Sequence, residues 1–525
     1  MSAPSSTRAA TARNGRNMNR IRVAAAAAVA LFAAGCTMAP HYTRPDAPVS
    51  QAFPSGGVYA TQPAAAAGAR SANGQAAADI GWREFFVDPR LQRLIEIALN
   101  NNRDLRVAVL NIAAARAQYQ ITRADLFPKL DAVGTGNRQR LPNALTAIPG
   151  RNITTTYNVG LQASWELDLF GRLQSLKDQA LAKYLATAQA RKASEIALVA
   201  QVADQYLTVL STDDLLKVTE NTLKSAQASY DLTKLKFDNG TGSELDLRQA
   251  QTIVETALAN QQAQARARAQ AVNALVLLIG QPLPDDLPPG LPLDAQNFLT
   301  DIPAGLPSDL LTRRPDIMEA EQNLLAANAN IGAARAAFFP RISLTGAFGT
   351  ASPTLGGLFK AGTAAWSFAP QITMPIFEGG ANLANLDLAN VQKRIEIANY
   401  EKAIQSAFRE VSDGLAARGT YDQQIAALQR NEHAQQRRYD LSNLRYRNGV
   451  DSYLSVLTAQ TDLYAAQQTL ITARLARWTS LVDLYRALGG GWIERAGKTP
   501  RPADQPVDYG KAAAPAPAPA AAANG

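Results

Sequence analysis

Residues 153–169 read Ile-Thr-Thr-Thr-Tyr-Asn-Val-Gly-Leu-Gln-Ala-Ser-Trp-Glu-Leu-Asp-Leu, and their reading decides the fold. The odd positions carry Ile153, Thr155, Tyr157, Val159, Leu161, Ala163, Trp165, Leu167 and Leu169. The even positions carry Thr154, Thr156, Asn158, Gly160, Gln162, Ser164, Glu166 and Asp168. Successive side chains of a strand point to opposite faces, so this alternation predicts a strand with one apolar and one polar face. It is also long enough to cross a hydrocarbon layer as a tilted strand, which takes about 9 to 11 residues.

The pattern recurs further along the chain. Ile342, Leu344 and Phe348 alternate with Arg341, Ser343 and Thr345, and Trp366, Phe368, Ile372 and Met374 alternate with Ser367, Gln371 and Thr373. Leu130 to Asn137 alternates less cleanly, and Pro370 is expected to interrupt a hydrogen-bonded ladder. The predicted strands are therefore about 129–137, 153–169, 341–350 and 363–375.

Two hairpins in one chain reflect a duplication. Tyr230-Asp231-Leu232 matches Tyr439-Asp440-Leu441, Asn239-Gly240 matches Asn448-Gly449, and Ala250-Gln251-Thr252 matches Ala459-Gln460-Thr461, all offset by 209. Phe127-Pro128 and Phe339-Pro340 match at an offset of 212, and each closes a helical stretch because the residue before proline is pushed out of the helical region. Such ordered blocks predict two copies of one structural unit, at 82–290 and 308–492. The proline-dense stretch 291–307 reads as the linker between them.

Residues 172–238 contain neither proline nor glycine and are filled with strong helix formers. A continuous helix of that length rises about 100 Å. Residues 382–448 are its counterpart, weakened only at Gly414 and Gly419. Helices of such reach need lateral partners, and their many alanines let axes approach closely in coiled-coil packing. Each ends at Asn-Gly, where the left-handed conformation that stops a helix is easily adopted, and Ser243 or Ser452 is placed to cap the returning helix.

The formal charge is +8, but Arg8, Arg13, Arg16, Arg20 and Arg22 all precede residue 36, and removing those five leaves +3. With no dense basic run interleaved with aromatics, no nucleic-acid partner is implied. The leader has a basic stretch, a short apolar core from Val23 to Ala34 and small residues before Cys36, which predicts a secretion signal over 1–35. Cys36 is the only cysteine, so no internal disulfide or multi-cysteine metal site is expected. Residues 36–81, rich in small residues and proline, read as a tether, and 493–525, ending in Ala-Pro alternation, as a disordered tail.

Four membrane-length strands cannot close a barrel, because an open edge in lipid leaves backbone groups unpaired. Sister chains must complete it; two would give eight strands and three would give twelve. Gln162, Glu166 and Asp168 would then line water, while Trp165 and its neighbours meet lipid. A catalytic reading finds little support, since His41 and His433 are the only histidines and no phosphate-cradling glycine loop is present. No enzyme activity, cofactor or metal is expected.

The duplicated helix-strand-strand-helix order resembles the outer membrane factor (TolC-like) family. So do Leu167-Asp168-Leu169-Phe170-Gly171 and Pro375-Ile376-Phe377-Glu378-Gly379-Gly380 after the hairpins, and the Asn-Gly tips. Leu31-Phe32-Ala33-Ala34-Gly35-Cys36 resembles a bacterial lipobox, although Ala33 stands where the motif prefers leucine, and points to the NodT-type efflux lipoproteins with Cys36 as the acylated residue. The resemblance implies a mainly α fold with membrane β-strands: a homotrimer forming a twelve-stranded β-barrel in the outer membrane, continued by a twelve-helix periplasmic tunnel. It implies the exit duct of a tripartite pump, with a periplasmic adaptor (membrane fusion protein) and an inner-membrane transporter of the resistance-nodulation-division (RND) class as partners. A duct for type I protein secretion is the alternative use of the same fold. The adaptor-facing tips fall on Gly240, Thr241, Gly242 and Ser243, and on Gly449, Val450, Asp451 and Ser452. The entrance gate falls on Tyr446 and Asp246, expected to link neighbouring helices, and its narrow ring on Ser455 and Thr458, where the family's acidic residues are absent.

Overall fold

The computed structural model describes residues 37–59, 77–140, 142, 153–299, 302 and 307–495. The predicted signal, Cys36, the middle of the tether and nearly all of the tail lie outside them.

In chain order the helices and strands are α1 (Trp82–Phe85), α2 (Pro89–Asn101), α3 (Arg103–Ala124), β1 (Lys129–Arg140), β2 (Ile153–Leu167), α4 (Arg172–Asp238) and α5 (Glu244–Ile279). The order then resumes with α6 (Pro307–Arg313), α7 (Pro315–Ala336), β3 (Arg341–Ser352), β4 (Ala364–Thr373), α8 (Ala381–Arg447) and α9 (Tyr453–Ala487). The chain divides into two compact units: residues up to 45, 114–186 and 321–399 in one, and the remainder in the other.

The first unit carries one antiparallel sheet in the order β1-β2-β3-β4. Its register places Leu161, Phe348 and Trp366 side by side, then Ala163, Gly346 and Phe368, then Leu167, Ile342 and Ile372. The opposite face carries Gln162, Ala347 and Ser367, then Glu166, Ser343 and Gln371. On that face Gly160 stands opposite Gly349, and a Cβ on either would collide with the other strand's backbone. Bare backbone lets these two strands close up there. Phe348, Trp366, Phe368 and Ile372 are all well exposed.

The strand ends differ from the sequence expectation for local reasons. β1 runs on to Arg140, since polar residues pair in a ladder as readily as apolar ones. β2 stops at Leu167 because the Asp168 carboxylate instead accepts the Gln174 N–H at 2.7 Å in the first turn of α4. Pro370 does not break the sheet: it pairs with Leu344 within β4, an edge strand, where a missing N–H is tolerated.

The second unit is built on Trp82, Phe85, Phe86 and Ile95, packed with Val202 and Leu207 of α4, Tyr400 and Val411 of α8, and Leu484 and Tyr485 of α9. Phe85 stacks on Tyr485 at 4.1 Å between centroids. At its centre the Asp88 carboxylate is 1% exposed. One oxygen caps α2 through the N–H groups of Arg90 and Leu91, and the other accepts Tyr206 Oη, Leu291 N and Gln296 Nε2, each at 2.9 Å. Burial and the adjoining Asp88 carboxylate hold the Tyr206 phenol above its ordinary range, so it stays a donor.

Parts of the segments read as loose connectors prove to be packed against the fold. Leu293, Phe298 and Ile302 of the linker are buried, because the apolar residues between its prolines reach the core, and Trp478 Nε1 donates to Leu293 O at 3.0 Å. Ile493 and Glu494, assigned to the tail, accept the backbone N–H groups of Trp82 and Arg83 through their carbonyls. In the tether, Phe53 stacks on Phe408 at 5.2 Å, and residues 37–44 bind α7.

Candidate functional site

The two turns between paired helices follow one plan. α4 stops at Asp238, Gly240 takes φ +69°, and its N–H and that of Thr241 return to the carbonyls of Phe237 and Lys236. α8 stops at Arg447, Gly449 takes φ +74°, and its N–H and that of Val450 return to Tyr446 and Arg445. The left-handed glycine thus satisfies the last carbonyls of each long helix. Open space surrounds both glycines. Exposed leucines flank each turn at equivalent positions, Leu235 and Leu245 in one copy and Leu444 and Leu454 in the other.

The caps differ between the copies. Ser243 Oγ accepts the Asp246 N–H at 3.3 Å and starts α5. Ser452 makes no such bond, contrary to expectation. Asp451, one residue earlier, instead ties the turn to the helix: its carboxylate accepts the Ser452 N–H at 2.9 Å and Ser455 Oγ at 3.1 Å, and faces Arg445 Nε at 3.3 Å. These hydrogen bonds, the Ser452 N–H foremost, hold its acid below the usual carboxylate range.

The expected contact between Tyr446 and Asp246 is not made in this structure. Tyr446 is 7% exposed, its hydroxyl lies 3.3 Å from Thr233 Oγ1, and the Lys236 ammonium sits 4.0 Å above its ring. Burying the ring against Tyr453, at 5.2 Å between centroids, outweighs reaching a solvated carboxylate on the first turn of α5. Tyr446 therefore pins α8 to α4. Tyr453 is buried beside it with a hydroxyl that has no partner among the described residues, and burial pushes that phenol up to about 12.

Ser455 and Thr458 bond within α9 or its cap, to Asp451 and to the Leu454 carbonyl. The carboxylates bracketing them are Asp451 and Asp462, and each faces an arginine, Arg445 or Arg438. Sequence reasoning named Asp451 but missed both arginine pairs, as well as Thr233, Lys236 and Tyr453. The recurring tyrosines at 230, 439 and 446 were the one available signal for this cluster.

Where the strands meet the helices, Glu166 binds Arg172 bidentately at 2.8 Å, with Arg341 at 3.8 Å. Phe170 stacks on Phe339 at 4.9 Å. A charged lining thus adjoins an aromatic pair at the base of the sheet. No described helix is long and apolar enough to cross a membrane.

A sequence model of the outer membrane efflux protein family matches residues 94–281 and again 306–490. The chain belongs to the outer membrane efflux protein family. Among relatives of this efflux protein, the toluene efflux pump outer membrane protein TtgC of Pseudomonas putida is 50% identical over 473 residues, spanning 90% of this chain and 96% of that one. The outer membrane protein OprJ of Pseudomonas aeruginosa is 45% identical over 467 residues, 89% of this chain and 95% of its own. Among solved structures, the open state of the MtrE outer membrane channel of Neisseria gonorrhoeae superposes with a TM-score of 0.77 at 43% identity, covering 88% of this chain and all of that one. The fold of this efflux protein is that of these outer-membrane channels, and the family is one of channels rather than catalysts.

Proposed function

We propose that three copies of this efflux protein close a twelve-stranded barrel in the outer membrane, and that their helices form the periplasmic exit tunnel of an RND-type tripartite pump. The observation that carries the reading is the sheet. Its outer strands β1 and β4 each pair on one side only among the described residues, and its exposed face carries Leu161, Phe348, Trp366, Phe368 and Ile372. In lipid such a sheet persists only when neighbouring chains complete its hydrogen bonds. The opposite face, with Gln162, Glu166 and Gln371, then lines the water path.

The tips supply the contact with a periplasmic adaptor: Gly240 to Ser243 and Gly449 to Ser452 hold a fixed turn beneath exposed leucines. Adaptor binding shifts an existing equilibrium between tunnel conformations, with Tyr446 and Tyr453 in the hinge. Cys36 carries the lipid anchor. The relatives named for toluene efflux support apolar small molecules as cargo. A deletion strain should accumulate toluene or a fluorescent apolar drug, and the wild-type gene should restore efflux. Unchanged accumulation on deletion, with every other exit duct removed, would overturn the assignment.

A further inference from the structure

The segment after Cys36 has the composition of a slack tether, yet it is a strap laid along one helix. Arg44 Nε and Nη2 donate to the two oxygens of Glu321 at 2.7 Å, and Tyr42 Oη donates to the same carboxylate at 3.1 Å. Asn328 Nδ2 donates to Pro40 O at 2.8 Å, and Arg335 Nη1 donates to Met38 O at 3.2 Å. Thr37 Oγ1 meets Ser175 Oγ at 3.3 Å. Glu321, Asn328 and Arg335 are seven residues apart, which keeps them on one face of α7. A Cβ on Gly332 would collide with Ser175 Oγ and the Ala39 backbone, so glycine there makes the groove.

The lengths match. Fourteen helical residues from Glu321 to Arg335 rise about 21 Å. The six steps from Met38 to Arg44 span at most about 20–22 Å when extended. Pro45 disfavours a helical turn at Arg44, while Ala39 bends and donates its N–H to Thr37 Oγ1 at 3.3 Å. The strap runs antiparallel to α7, without a turn from Pro40 to Arg44 and with a bend at Ala39. Its free end, Thr37 to Ala39, lies in a shallow groove with Arg335, Phe338 and Phe339, one residue from Cys36 and beside the start of β3. Phe339 is exposed on that side while its ring stacks on Phe170.

We infer that the strap is a ruler that seats the acyl chains of Cys36 against Phe338 and Phe339, the clamp at Arg44–Glu321 fixing the distance. The inference rests on acylation of Cys36. An occupant that is part of the same chain is favoured because Thr37, the residue after Cys36, itself lines the groove.

The test uses the full-length chain with a photoreactive benzoylphenylalanine at 339, or at 338 should the first variant not assemble, in cells fed an alkyne-tagged fatty acid. After irradiation and chymotryptic cleavage, the acylated N-terminal peptide should be cross-linked to the peptide carrying the photoreactive residue. The pair Tyr42→Phe and Arg44→Ala, which alters only the strap, should lower that yield at least fivefold at equal amounts of assembled protein. Cross-linking to free phospholipid instead, or a yield unaffected by the strap variants, would overturn the seat. An intact mass without diacylglycerol would overturn the acylation itself, and the mass separates that failure from the others.

Discussion

Asp88→Ala offers the sharpest energetic test of the helical unit. The substitution removes a cap from α2, worth about 1 kcal/mol. It also strands three donors that meet Asp88 Oδ2 at 2.9 Å: Tyr206 Oη, Leu291 N and Gln296 Nε2. Each buried donor left without a partner costs about 1–3 kcal/mol, and partial relaxation of the chain brings the expected total to about 4–7 kcal/mol. Asp88→Asn should not rescue the loss, because one of its two side-chain atoms becomes a donor, and Oδ1 and Oδ2 both accept in the native structure. Tyr206→Phe removes a single donor and should cost about 1 kcal/mol alone and almost nothing beside Asp88→Ala. The assay is the thermal midpoint of the purified protein in detergent, followed by far-ultraviolet circular dichroism. A fall of roughly 5 °C for Asp88→Ala is expected for a chain of this length. A change of under 2 °C, or full rescue by asparagine, would refute the reasoning.

Further predictions concern pH, the tips and the membrane face. Asp204 Oδ1 is buried without a partner among the described residues, and burial, then the nearby Asp483 carboxylate, pushes its acid up to about 7 from 3.8. The folded state therefore binds the extra proton, so stability should fall as pH rises from about 4 to about 7 and level off above, by up to about 4 kcal/mol. Asp204→Asn should flatten that pH profile of the thermal midpoint and raise it at pH 8. Gly449→Phe and Gly240→Phe place a side chain in open space at positive φ, so each should cost roughly 1 kcal/mol of local stability, leave assembly intact and abolish efflux. Phe368→Arg should cost about 2–4 kcal/mol and deplete the outer-membrane fraction, whereas Ser367→Arg, one residue away on the other face, should insert normally.

The features legible in the sequence were those set by local periodicity. Alternation marked β2, the long run without proline or glycine marked α4, and Asn-Gly marked both turns, since each depends on residues within a few positions of one another. What escaped was set by pairings between distant residues. Arg44 and Glu321 are 277 positions apart, so nothing in the Ala- and Pro-rich segment revealed a strap. Tyr446 and Thr233 are 213 apart, and the gate tyrosine was assigned a solvated carboxylate when a hydrophobic slot was open to it. Nothing near Asp88 in the chain marked it, because three of its donors come from Tyr206 and the linker, more than a hundred residues away. β1 was read short because its polar residues, Asn137 to Arg140, gave no alternation to follow.

Strand pairing between chains decides whether this is a barrel at all. Ala132→Cys in β1 should be combined with Trp366→Cys or Phe368→Cys in β4, positions that share the apolar face through the register of the intervening strands. Oxidised in intact outer membranes and run without reductant, the protein should appear as a covalent species of three chains for at least one pair. Monomeric mobility for both pairs, from a chain that purifies as a monomer without detergent, would contradict the account.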